Sequence, residues 1–114
     1  MNISIMETQV ILRLYQEKLA DKVLKPKTAI KLSRLIDELV KNYLSFEKAS
    51  DEILKKYGGF GCIKEEDKPK VEEEIGSLPK EFSIKDYSFE LDEMEGMELT
   101  VSEIMAFERF IKEE

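Results

Sequence analysis

The chain contains no histidine, which removes the commonest general acid/base, the commonest metal ligand and the usual partner of a serine or cysteine nucleophile. Its single cysteine, Cys62, excludes an intrachain disulfide. With no histidine to activate it, the thiol reads as packed or inert rather than reactive. No apolar run approaches the roughly 18 residues of a membrane span. The first residues show no basic stretch followed by an apolar one, so a cytosolic protein is expected. No internal repeat occurs, and the acidic middle is biased without being low complexity. Basic charge is scarce as well: 18 Lys and Arg stand against 25 Asp and Glu, a net charge of −7. That balance disfavours a general nucleic-acid or anionic-membrane binder. Together these absences point away from an enzyme, and they call for no cofactor.

What is present is helical patterning. The 114 residues suit one domain with its own core. "NISI" at Asn2 to Ile5 alternates like a short strand, although Ser4 to Glu7 also fits a capping box; the strand is preferred. From about Glu7 to Asp21 a first helix is expected, with Ile11, Leu12, Tyr15, Leu19 and then Val23 on one face. "VLKPK" turns the chain, and Pro26 suits the first turn of a new helix.

That second helix is expected from about Lys27 to Tyr57, ended by Gly58 and Gly59. Leu32, Ile36, Leu39, Tyr43, Phe46, Ser50, Ile53 and Tyr57 alternate steps of four and three, a seam for packing or self-association with Ser50 its one polar interruption. Asp37–Lys41, Asp51–Lys55 and Glu52–Lys56 are acid-before-base pairs for the outer face. Some 31 helical residues span roughly 46 Å, whereas a compact chain of this size is only about 35 Å across. The helix must therefore kink, around Asn42 to Ser50, or overhang its own domain and be covered by another chain. Self-association is the expected outcome.

Beyond the glycines, about residues 62 to 81 form a charged spacer with a short helix expected near Val71 to Ile75. Phe82, Ile84, Phe89 and Leu91 suggest one or two short strands, pairing with each other or with the N-terminal strand. "DEMEGM" reads as a loop. "LTVSEIMAFERFIKEE" reads as a terminal helix: Thr100 caps it, Glu103 reaches back, and Leu99 clasps Ile104. Its apolar residues, Val101, Ile104, Met105, Phe107, Phe110 and Ile111, span too wide an arc for one neighbour, so it is expected to wedge into the core or to share a face with a second subunit. The expected fold is α+β and mostly helical: a long antiparallel helix hairpin over about 7–57, a few short strands and a capped C-terminal helix.

The motifs that could carry chemistry are better explained structurally. "GGFG" lacks the following Lys-Ser/Thr of a phosphate loop and sits at a helix C-terminus, where the dipole repels anions. The acidic runs Glu65 to Asp67 and Glu72 to Glu74 match no calcium loop. More informative is a local excess of base. Seven cations between Arg13 and Arg34 face only Glu17 and Asp21, giving +5 there and −12 elsewhere. Lys22, Lys25, Lys27 and Lys31 cluster at the turn between the helices, a candidate interaction tip for phosphates or an acidic surface. A DNA-binding helix-turn-helix fits poorly, because the second helix is too long and its turn has no glycine.

A lysine-and-proline turn into "KTAIKLSRLIDELVKNYLSFEKASDEILKKYG", an acidic spacer, and then "ELTVSEIMAFERFIKEE" resembles a family of small proteins of phages and prophages of Gram-positive bacteria, domain-of-unknown-function family 1617. Leu99, Thr100, Glu103, Ile104, Ala106, Phe107, Ile111 and Glu113 occupy the positions of that family's terminal segment. The resemblance covers nearly the whole chain, and its motifs are caps and packing positions, so no catalytic residue carries over. It implies a phage accessory protein in the host bacterial cytoplasm, with function unassigned; the overhanging helix, the missing catalytic groups and the acidic charge then suit a non-enzymatic factor that self-associates and binds another protein. An acidic inhibitor of a host defence or nucleic-acid-processing protein, built on Lys64 to Glu81, is the alternative. A nucleic-acid-binding regulator using the basic turn is the second alternative.

Overall fold

The computed structural model describes residues 1–59 and 61–112. Phe60 of "GGFG" and the terminal Glu113 and Glu114 lie outside the described residues.

The N-terminus satisfies both readings of "NISI". Strand β1, Asn2–Ser4, pairs antiparallel with β2, Glu81–Ser83, placing Ile3 opposite Phe82. Ser4 is at the same time the cap of helix α1, Ile5–Leu14: the Glu7 N–H donates to Ser4 Oγ at 3.1 Å, and the Ser4 N–H donates back to the Glu7 carboxylate at 3.3 Å. An extended backbone suits both a strand end and an N-cap, so the two roles do not compete. α1 then widens over Tyr15–Leu19, where the Ala20 N–H donates to Tyr15 O five residues back at 2.8 Å. Ile11, Leu14 and Leu19 are buried, whereas Val23 is 95% exposed. Val23 therefore does not continue the face: the helix has ended before it, and helical periodicity no longer applies.

Helix α2 runs unbroken from Pro26 to Lys56, with the proline in its first turn. It ends in a Schellman motif, with the Gly59 N–H on Leu54 O at 2.9 Å, the Gly58 N–H on Lys55 O at 3.2 Å, and Gly58 at φ 111°. No break falls at Asn42 to Ser50. The helix overhangs, giving a body 53 × 26 × 23 Å. Helix α3, Lys68–Gly76, packs against α2 and covers part of the overhang from within the chain, with Val71 buried and Lys56 bridged to Glu74 at 2.7 Å. A cover from another chain is therefore not the only way to shield this helix.

The core lies at the other end of α2. Leu32, Leu35, Ile36 and Leu39 pack with the buried face of α1, and Ile84, Phe89, Met94, Met97, Phe107 and Phe110 close over them. The segment read as a loop is instead helix α4, Leu91–Met97, begun when Glu93 reaches back to the Glu90 N–H at 3.0 Å and ended by Glu98 in the left-handed region. Helix α5 is shorter than expected, Val101–Ala106, followed by a tight turn at Glu108–Phe110. Ile111 is then extended and bridges Phe89, whose N–H donates to Phe110 O at 2.7 Å. This break sends Phe107 and Phe110 inward while Val101 and Met105 stay exposed. The wide apolar arc is thus split between core and surface.

The expected cap is present: the Glu103 N–H donates to Thr100 Oγ1 at 3.3 Å and the Thr100 N–H to Glu103 Oε1 at 2.8 Å. Lys18 also binds that carboxylate, at 2.7 Å. Thr100→Ala is expected to cost about 1 kcal/mol in urea denaturation, with no change in secondary structure by circular dichroism.

Candidate functional site

The first two turns of α2 place Thr28 and Lys31 on one side, facing α4. There Glu93, 7% exposed, accepts from Thr28 Oγ1 at 2.8 Å, from Lys31 Nζ at 2.8 Å and from the Glu90 N–H at 3.0 Å. Lys31 also donates to Ser88 O at 2.7 Å and lies 5.1 Å from the centre of the Phe89 ring. Burial alone would raise the Glu93 pKa, but the bonds from Lys31, Glu90 and Thr28 outweigh it and hold the carboxyl at about 2. The two charges satisfy each other, Glu93 buried and Lys31 half-buried at the rim of a groove. This knot pins α4 onto α2.

Two members of the expected basic tip are therefore committed. Lys31 is held by Glu93, and Lys22 pairs with Glu98 at 3.5 Å. Lys25 and Lys27 are exposed, without an ion-pair partner among the described residues. The structure does not assemble four free cations. Beside this turn runs a groove of mixed charge, where Lys27, Arg34 and Lys85 alternate with Asp37 and Glu38. The Tyr87 phenol donates to Glu38, and burial together with that carboxylate pushes its pKa up to about 12.

The predicted seam divides by position. Leu32, Ile36 and Leu39 are buried in the chain's own core, while Tyr43, Phe46, Ile53 and Tyr57 are half-buried along the overhang. Its first half is thus internal packing. Sequence reasoning missed two places. One is the Glu93 knot, whose signal was a threonine and lysine three residues apart in the first two turns of α2. The other is the outer face of α2. There Asp37–Lys41, Asp51–Lys55 and Glu52–Lys56 do not close as ion pairs; Lys56 binds Glu74 instead. On that side Leu12, Tyr15, Ile36, Val40, Tyr43 and Leu44 line an open groove of about 580 Å³ between α1 and α2, with Leu44 56% exposed.

Other candidates are ordinary surface. The acidic runs are partly neutralised by Glu65–Lys68 at 2.8 Å and Asp67–Lys70 at 3.8 Å. Among the described residues no cluster of three or more metal-ligating side chains occurs, and no helix is long and apolar enough to cross a membrane. Cys62 is exposed rather than packed. No protein family, curated protein or solved structure matches the chain.

Proposed function

We propose that this chain is a non-enzymatic accessory protein of a phage or prophage, acting in the host bacterial cytoplasm through self-association and protein–protein binding. The observation that carries the reading is α2, which extends past the core in a body 53 Å long and leaves Val40 and Leu44 open beside a groove that Gln9, Arg13 and Gln16 also line. Such a face favours protein contact over small-molecule chemistry. The resemblance of "LTVSEIMAFERFIKEE" and the long-helix segment to phage proteins supports the setting. The commitment of Lys22 and Lys31 to Glu98 and Glu93 leaves a nucleic-acid reading little charge to draw on.

Sedimentation velocity tests the self-association at the centre of this reading. At tens of micromolar the expected species is heavier than one 13.3 kDa chain. A single-chain mass across that range contradicts it.

A further inference from the structure

We propose that the exposed strip of α2 is a two-fold, antiparallel interface with a second copy of this chain, centred beside residue 42; this rests on the self-association proposed above and says where and how it occurs. Arg34, Asp37, Val40, Leu44, Lys48 and Asp51 follow one another at steps of three and four, so they share one side of the helix. All six are exposed, Val40 at 38% and Leu44 at 56%. Arg34, Asp37, Lys48 and Asp51 have no ion-pair partner among the described residues. Val40 and Leu44 thus stand at the middle of the strip with the exposed Lys41 at their edge, and unpaired charges of both signs lie on either side.

In a two-fold antiparallel helix pair, facing residues lie at equal distances on opposite sides of the axis. Three pairs in the strip meet this condition about a single point. Val40 with Leu44, Asp37 with Lys48, and Arg34 with Asp51 are each centred on residue 42 to within half a residue. Ile30, 53% exposed, is matched in the same way to Lys55, whose aliphatic stem can cover it. The symmetry then gives two apolar contacts at the centre and four cross-chain ion pairs outside them. A parallel pair in the same register would set Asp37 against Asp37 and Lys48 against Lys48, so charge selects the antiparallel form. The contact strip from residue 30 to 55 is roughly 37 Å long and lies between two open grooves, which leaves room for a second helix.

Charge reversal tests the register. Wild-type protein, Leu44→Glu, Asp37→Lys and the double variant Asp37→Lys/Lys48→Asp are compared by sedimentation velocity at equal concentrations, with circular dichroism as a check on folding. The wild type is expected to be a dimer. Leu44→Glu and Asp37→Lys should each weaken it by about tenfold or more, and the double variant should regain most of the loss because its swapped charges again face opposite signs. Wild-type dimers that both single variants leave unchanged would place self-association elsewhere and overturn this interface, while the proposed function stands. A wild-type monomer would overturn both.

Discussion

Glu93→Ala is expected to destabilise the protein by about 2–3 kcal/mol, because it strands the half-buried Lys31 and leaves buried donors without their acceptor. Lys31 would keep Ser88 O and the Phe89 ring but lose its counter-charge, and the Thr28 hydroxyl and Glu90 N–H would lose their acceptor. The same knot sets an acid limit. Glu93 has a folded-state pKa of about 2 against an ordinary value of 4.5. Its contribution is therefore fully present above pH 4.5 and is lost as pH falls from there towards 2. A depression of that size corresponds to a stabilisation on the order of 3 kcal/mol. Urea denaturation of wild type and Glu93→Gln at neutral pH and near pH 3 checks this: the gap between them should narrow in acid. An equal gap at both pH values would mean that the carboxylate charge is not what holds α4 to α2.

Phe107→Ala should cost about 3–5 kcal/mol. Phe107 is fully buried between Phe89 and Phe110, at ring-centre distances of 6.4 and 6.3 Å in edge-to-face arrangements. It follows the last turn of α5, so the alanine would leave a cavity where that helix meets the segment pairing with Phe89. Phe107→Leu keeps most of the volume and should cost well under half as much. Both are measured by the urea midpoint, and equal losses would show that the ring's shape, not the volume it fills, holds this site.

The helices of the hairpin were legible because their signals are local. Pro26 opens α2, Gly58 and Gly59 close it in a Schellman motif, and the step pattern from Leu32 to Leu39 marks its buried side. Thr100 and Glu103 announced α5 for the same reason. Its end was not legible. "AFERFI" continues a helical pattern, and the chain leaves it because Phe89 offers backbone partners to Phe110 and Lys112, a pairing that only the tertiary fold creates. α4 was missed because glutamate is a weak N-cap and Gly96 lies inside the helix. The basic turn misled because sequence shows charge but not partners: Lys22 and Lys31 are answered from Glu98 and Glu93, more than sixty residues away. The outer strip of α2 misled in the opposite direction, since local i,i+4 pairs explained charges that the fold leaves open.

The overhanging helix links these observations to function. Its buried side is filled by α1, by the aromatic cluster and by α3, and its outer side carries a charge pattern that is its own complement when reversed. Distances between spin labels in a Cys62→Ser background test that arrangement most directly. Lys41→Cys lies beside the proposed axis and Lys55→Cys far from it. Antiparallel two-fold pairing predicts an interchain distance under about 25 Å at position 41 and about 40 Å at position 55. Short distances at both positions, or no interchain coupling at either, would contradict it.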